Sequence, residues 1–361
     1  MKPLPRILSI QSHVVHGHVG NRSVTFPLQL NGFEIDNINT VQKCTHNRYA
    51  SFTGTVLDTK DFLNIVDGLR QNGLLYKYSY IMTGYIFSSE LLKLVAEIVE
   101  EIKENAWKLY GRNVIYLCDP VMGDIYPEIS ATHTRGKMYV PEDLLPVYRD
   151  QILPLADILT PNQCELELLL KTQNDGNGVL ISSDKDMKNA LNQSILDDKQ
   201  IFVTSDLQMT SPVIKGYCKL GNTEKSKIFY FESDRVPSTF VGTGDLFSAT
   251  LLAELHSKLQ KVNKNSTKDN AEMISDSEEE NRSRSNSDAF VEIDFVENIK
   301  NILWTMYHVV SLTYEYSNKV EDGSSSDYNK FDKIELQLVR CKKEIDMETR
   351  TRGKDFVVQE I

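Results

Sequence analysis

The residues of this 361-residue chain best arranged for chemistry lie in Phe240-Val241-Gly242-Thr243-Gly244-Asp245-Leu246-Phe247, where a strand-like run ends in two close glycines and an aspartate. Gly242 and Gly244 have no side chains, so main-chain N–H groups there can approach a bulky anion. A helix starting at Gly244 aims the positive end of its dipole at the same point. Asp245, in the first turn of that helix, carries a carboxylate able to reach a hydroxyl attacking a phosphoryl group held by those amides. Gly242, Thr243, Gly244 and Asp245 therefore read as machinery for phosphoryl transfer to a small alcohol. A tight turn whose aspartate caps the helix would give the same short string, so the reading depends on what the rest of the chain supplies.

Polar groups recur where strand-like runs end. Ser12 follows the run from Arg6 to Ile10; its hydroxyl could bond a substrate ring atom or cap the next helix. His46 and Asn47 follow the run from Phe33 to Val41 and could face a small ligand, although a surface histidine requires none. Tyr85, after Tyr78 to Met82, could stack on a flat substrate or simply pack. Asp119 and Asp124 flank a Pro-Val-Met-Gly turn after Val114 to Cys118. Paired carboxylates suit a hydrated Mg²⁺ carrying phosphates, because Mg²⁺ keeps several waters and needs few protein oxygens; an Asp-Pro turn closed by a second aspartate is the plainer reading. In Thr160-Pro161-Asn162-Gln163-Cys164-Glu165, Asn162 and Glu165 project from one helical turn, where Glu165 could act through water on a metal or complete a capping box. Thr204-Ser205-Asp206 brings hydroxyls to a fifth strand end. The spacing of His13, His16 and His18 fits neither one helical face nor a two-histidine zinc pattern, leaving them as loop and packing residues.

These motifs need a scaffold that gathers strand ends. Strand-like runs alternate with helical spacing, as in Asp61 to Leu69 and Leu91 to Ile102, which predicts an α/β domain with a largely parallel sheet and helices on both faces. In such sheets the crevice outside the carboxyl ends of the strands is where ligands bind. Helical spacing is also expected from Leu144 to Ile152 and near Met187 to Ile195, and Val213 to Leu220 with Lys227 to Phe231 reads as a hairpin. Ile125 to Tyr139 is polar and lid-like. Residues 260–289 are rich in Asn, Ser, Lys, Asp and Glu, which predicts a disordered polar insertion between two helices, with serines open to phosphorylation. A highly charged tail follows an apolar stripe from Phe331 to Cys341.

Composition narrows the function classes. At 40% hydrophobic and 25% charged residues the chain can bury a sizeable core. The formal net charge of −11 disfavours nonspecific binding to nucleic acid or an acidic membrane surface. The five cysteines are far apart, predicting reduced thiols rather than a disulfide framework or zinc site. The first residues lack the apolar run of a signal peptide and no stretch approaches the length of a membrane span, so a soluble protein is expected.

Several strings together resemble eukaryotic pyridoxal kinase: Leu8-Ser9-Ile10-Gln11-Ser12-His13-Val14, Val19-Gly20-Asn21-Arg22, Thr83-Gly84-Tyr85, Cys118-Asp119-Pro120-Val121-Met122-Gly123-Asp124, Thr160-Pro161-Asn162-Gln163 and Val241-Gly242-Thr243-Gly244-Asp245-Leu246-Phe247. The resemblance implies one ribokinase-like domain across residues 1–361 that phosphorylates the 5′-hydroxymethyl group of pyridoxal, pyridoxine or pyridoxamine with ATP. By position, Asp245 would be the catalytic base and Gly242, Thr243 and Gly244 the anion hole. Ser12, His46 and Asn47 would contact the pyridine, with Val41 and Tyr85 beside the ring. Asp119 and Asp124 would serve Mg-ATP, Thr160 and Thr204 a monovalent cation such as K⁺, and Asn162, Glu165 and Ser205 the phosphates or their metal. Val236, Pro237 and Ser238 would border the nucleotide base, and the family further implies a cytoplasmic homodimer, with a nuclear location also compatible.

Two departures bear on substrate preference and rate: Asn47-Arg48 stands where the family typically carries Thr-Gly, and Pro237 replaces a residue usually acidic. A kinase for a hydroxymethylpyrimidine would share the Gly-x-Gly-Asp machinery and differ in the pocket of Ser12, His46 and Asn47. A noncatalytic vitamer-binding or scaffold protein is the reading from another class, against which stands Asp245, since a pure binder needs no base.

Overall fold

The strands at the centre of the sheet are buried along nearly their whole length, whereas those at its two edges are largely exposed. In the computed structural model, which describes residues 4–124, 137–171, 180–206, 211–221, 225–269, 295–321, 332–350 and 354–361, the strands are β1 (Arg6–Val14), β2 (Glu34–Lys43), β3 (Gly54–Val56), β4 (Tyr80–Thr83), β5 (Ile115–Cys118), β6 (Gly123–Asp124), β7 (Lys137–Met138), β8 (Ile158–Leu159), β9 (Gln200–Val203), β10 (Val213–Leu220), β11 (Lys227–Asp234) and β12 (Val357–Glu360). Ten strands form one sheet in the order β12-β11-β10-β9-β8-β5-β4-β1-β2-β3, and β6 pairs with β7 apart from it. The run from β2 to β9 is parallel, whereas β3 and the β10–β11–β12 ribbon are antiparallel.

The helices are α1 (Asn21–Leu30), α2 (Thr59–Gln71), α3 (Ser89–Tyr110), α4 (Leu144–Val147), α5 (Leu153–Leu155), α6 (Gln163–Leu170), α7 (Asp184–Leu191), α8 (Thr243–Asp269), α9 (Val296–Glu321) and α10 (Lys342–Ile345). The sheet's period of two sorts neighbouring residues onto two cores. Leu8, Ile81, Tyr116, Leu159 and Ile201 pack under α3, whose Leu91, Val95, Ile98 and Ile102 form its inner stripe. Ile7, Met82, Leu117, Ile158 and Phe202 pack under α1, α8 and α9 through Val24, Leu28, Phe247, Leu251, Ile299 and Leu303. The expected α/β layering with helices on both faces is therefore the observed one. The parallel strands point the same way, so residues after Val14, Lys43, Thr83, Cys118, Leu159 and Val203 share one edge. No described helix is long and apolar enough to cross a membrane.

The structure differs from the expectations in four places. Strand β1 continues beyond Ile10 to Val14, because His13 and Val14 pair with Gln42 and Lys43 after a register shift at Ser12. The helical run from Leu144 is broken by a π-helical turn at Tyr148–Ile152, flanked by Pro146 and Pro154, which lack the N–H donors of an unbroken α-helix. Helix α8 runs to Asp269, well inside the segment expected to be a disordered insertion from residue 260. Extending a helix already anchored by packing avoids the unfavourable nucleation step. The remainder of that insertion, residues 125–136 of the lid-like segment and the linker at 323–326 lie outside the described residues. The charged tail ends as β12, which pairs with β11 and extends the sheet.

Candidate active site

The glycine loop is held by contacts from distant parts of the chain. The Val241 N–H donates to the Ile334 carbonyl (3.1 Å), and the Ser23 hydroxyl donates to the Gly242 carbonyl (3.1 Å). Gly242 adopts φ +78°, and a Cβ there would lie 2.0 Å from the His18 carbonyl oxygen. Only glycine fits this crossing. Helix α8 then starts at Thr243 and is seated by Leu246, Phe247, Ala249 and Leu252, all buried. Its first turn carries Asp245, whose Oδ2 accepts a hydrogen bond from the Gly20 N–H (2.8 Å). Gly20 in turn lies against Ser12: a Cβ at Gly20 would meet the Ser12 carbonyl oxygen at 2.2 Å. The end of β1, the start of α1 and the start of α8 thus meet at Asp245. Burial pushes the Asp245 carboxyl up to about 6, while the Gly20 N–H pulls it down.

Beside this loop is an acidic cluster at the ends of β5 and β8. Asp119 is 6% exposed; its Oδ2 receives a long hydrogen bond from the Ser248 hydroxyl (3.5 Å), and Ser248 is also bonded to the Thr160 hydroxyl (2.9 Å). A Cβ at Gly244 would sit 3.7 Å from Asp119 Oδ2, so the anion loop and this carboxylate face each other. Loss of water around Asp119, reinforced by the charges of Glu165 and Asp245, raises its carboxyl well above the ordinary range. Glu165 is raised to about 8 by burial, against the pull of N–H groups from Asn162, Met122 and Gly123.

Those N–H groups show that the capping-box alternative for Asn162 and Glu165 is realised. Asn162 Oδ1 accepts from the Glu165 N–H, and Glu165 Oε2 accepts from the Asn162 N–H, both at 2.9 Å. Glu165 Oε1 accepts from Met122 (3.0 Å) and Gly123 (3.4 Å), and Asn162 Nδ2 donates to the Gly123 carbonyl (2.9 Å). The pair therefore rivets the Asp-Pro-Val-Met-Gly-Asp turn to α6. Asp124 is exposed on β6. Among the described residues no group of three or more His, Cys, Asp and Glu side chains is arranged as a metal site. The chemistry fits a cation all the same: closely placed carboxylates raised by desolvation and mutual repulsion are relieved by positive charge, and a cation that keeps its waters needs no compact protein cage.

The residues expected to contact the pyridine lie at the ends of β1, β2 and β4. Ser12 occupies the irregularity between Gln11 and His13, where the pairing of β1 with β2 shifts register. His46 does not present a free ring nitrogen: Nδ1 accepts from the Arg48 N–H (3.1 Å), and Nε2 lies 3.0 Å from Glu335 Oε1. Its ring packs 4.7 Å from that of Tyr49. Asn47 is exposed, Val41 is buried in β2, and Tyr85 is half-buried, its carbonyl accepting from the Thr40 hydroxyl (2.7 Å). The Thr204 N–H donates to the Pro161 carbonyl (3.0 Å) and the Ser205 carbonyl accepts from Gln163 (3.1 Å), which fastens the β9 end to the α6 start. Val236, Pro237 and Ser238 form a turn after β11, closed by the Ser238 N–H to the Val236 carbonyl (2.8 Å).

Three contributors escaped the sequence reading. Ser248, one helical turn beyond Asp245, links Thr160 to Asp119 and is visible only as a hydroxyl in an apolar stripe. Gly20 stands in a string quoted for the resemblance, yet nothing local marks its N–H as the Asp245 partner. Glu335 gives no sequence signal at all.

Comparison with known proteins agrees with this layout. The family model described as phosphomethylpyrimidine kinase matches residues 76–277. Pyridoxal kinase of Homo sapiens is 41% identical over 260 residues, covering 70% of this chain and 77% of that one. The Arabidopsis thaliana pyridoxal kinase is 40% identical over 253 residues, with coverages of 68% and 73%. A solved structure of Leishmania donovani pyridoxal kinase in complex with ADP and pyridoxamine matches with a TM-score of 0.73 at 25% identity, over 99% of both chains. With a match at this identity over more than two thirds of its length, a glycine loop leading into α8 and acidic strand ends facing it, the chain belongs to the pyridoxal kinase family.

Proposed function

We propose that this protein transfers the terminal phosphoryl group of ATP to the 5′-hydroxymethyl group of pyridoxal, and of pyridoxine and pyridoxamine. The observation that carries the reading is the Asp245 carboxylate at the mouth of the Gly242-Thr243-Gly244 loop, braced by the Gly20 N–H. Amides of that loop and the start of α8 would stabilise charge on the transferring phosphoryl group. Asp245 would orient the substrate hydroxyl and accept its proton late in a loose transition state. A carboxyl near 6 is mostly ionised at neutral pH and is a stronger base than an ordinary aspartate.

Asp119 and Asp124, with Glu165 acting through water, would hold Mg²⁺, and Thr160 and Thr204 would lie at a monovalent cation such as K⁺. When bound, the divalent ion supplies positive charge between the phosphates. Ser12 and the loop carrying His46 and Asn47 would frame the pyridine with Val41 and Tyr85, while Ser205 and Val236 to Ser238 would face the nucleotide. A cytoplasmic homodimer is part of the same reading, supported by the family resemblance.

The test is ATP-dependent formation of pyridoxal phosphate by the purified protein with Mg²⁺ and K⁺, beside an Asp245→Ala control. Turnover by the wild type alone is the expected result. Pyridoxal binding without turnover would overturn it in favour of a binding protein. Because the matching family model is described as phosphomethylpyrimidine kinase, a hydroxymethylpyrimidine competes as alternative substrate, and faster phosphorylation of that alcohol would reassign the pocket.

A further inference from the structure

Glu335 enters the crevice from a segment far from every motif considered above. It follows a short 3₁₀ turn at Asp332–Ile334, and its side chain is 5% exposed. Oε2 accepts a hydrogen bond from the His18 N–H (3.0 Å), and Oε1 faces His46 Nε2 at 3.0 Å. The Glu335 backbone forms a parallel bridge with Val241, the residue before the anion loop. Gly17, at φ +95°, passes so close that a Cβ would lie 2.2 Å from Oε1. One carboxylate thus touches the β1–α1 loop and the loop after β2, and its main chain is bridged to Val241, the residue before Gly242.

The histidine end of the contact has a defined polarity. Nδ1 of His46 accepts the Arg48 N–H and so carries no proton, which in the neutral ring leaves the proton on Nε2, facing Glu335. The Nε2 to Oε1 approach is short but off the line of a good hydrogen bond, so its character is electrostatic. A buried carboxylate with this placement does more than fill space: it joins the Nε2 edge of His46 to the His18 N–H.

We propose that Glu335 is a positioning residue for the pyridine half of the site, holding the His46–Tyr49 loop against the β1–α1 loop at the spacing a planar pyridine alcohol requires. The inference deepens the reading that a vitamer lies beside Ser12, and rests on it. Glu335 would not touch the substrate; it acts through His46 and His18.

The experiment compares wild type, Glu335→Gln, His46→Ala and the double variant in steady-state kinetics with pyridoxal and ATP varied separately. The glutamine keeps the shape and an acceptor for His18 but removes the charge facing Nε2. Expected is a rise of about tenfold in KM for pyridoxal, with KM for ATP and kcat within about twofold, and a double variant no worse than the poorer single one. Equal losses in both KM values, or additive effects in the double variant, would overturn the proposal. Backbone NMR of the His46–Tyr49 loop gives a readout free of activity: displaced amide resonances from His46 to Tyr49 in Glu335→Gln support it, and unchanged resonances refute it. Should the wild type fail to phosphorylate pyridoxal, the functional reading falls while the NMR comparison still decides the role of Glu335. If Glu335→Gln does not fold, Glu335→Asp serves in its place, expected to raise the pyridoxal KM alone; a raised ATP KM in it would refute the proposal.

Discussion

Replacing Asp245 by asparagine should make the protein more stable at neutral pH while slowing its chemistry by orders of magnitude. The carboxyl is raised from 3.8 to about 6 by burial. A carboxyl raised in the folded state favours folding only while protonated: its contribution is present below the unfolded value and is lost as pH rises through about 6. At 1.36 kcal/mol per pH unit, that span from 3.8 to about 6 corresponds to about 3 kcal/mol of destabilisation at pH 8. Asp245 is only half-buried, and solvent screening brings the figure down to about 1–2 kcal/mol. Asparagine carries no charge, retains an oxygen for the Gly20 N–H and removes one repulsion acting on Asp119. Urea unfolding from pH 4 to pH 8 is the assay. The variant should match the wild type near pH 4 and gain the full difference above about pH 6, with kcat lower by about 10²–10⁴. A variant equally stable at pH 8, or a gain independent of pH, would refute the claim that Asp245 is held charged against its surroundings.

Gly242→Ala should fold yet lose about 100-fold in kcat/KM, because the methyl group must displace the His18 carbonyl, 2.0 Å from the ideal Cβ, and thereby shift the anion loop; wild-type turnover would contradict this. Glu165→Ala removes the acceptor for the Met122 and Gly123 N–H groups, so KM for ATP should rise about tenfold in initial-rate assays while KM for pyridoxal stays within about twofold. Arg350→Ala strands Glu254, which is 1% exposed and otherwise bonded to Asn298 (2.6 Å). It should lower the unfolding free energy by about 3–5 kcal/mol, seen as an earlier urea midpoint.

The legible parts of the site were those written in adjacent residues. Gly242 to Asp245 and the capping pair Asn162 and Glu165 act within one turn, so spacing alone exposes them. The parallel strands were legible because Ile7 to Ile10, Tyr80 to Met82 and Ile201 to Val203 are short apolar runs between polar ends. Strand β12 was not, because Val357-Val358-Gln359-Glu360 is too short and charged to signal a strand without β11 beside it. The partner of His46 was not legible for a related reason: Glu335 is hundreds of residues away, and one buried carboxylate within an apolar stripe has no local signature. The break at Tyr148 reflects prolines whose missing donors outweigh an otherwise helical apolar pattern.

The bonds that close the crevice span nearly the whole chain. Gly20 and Asp245 are 225 residues apart, and His18 and Glu335 are 317 apart. In contrast, β1 and β2 pair within a span of some 30 positions. Loop-closure entropy grows with such separations, and long-range contacts are the last to repay it. The β1–β2–β4 platform can therefore form early while the pocket stays open, and catalytic competence arrives only with the final docking of the Glu335 segment. A folding chain of this kind acquires its shape before its activity, so refolding followed by fluorescence should run ahead of refolding followed by pyridoxal turnover.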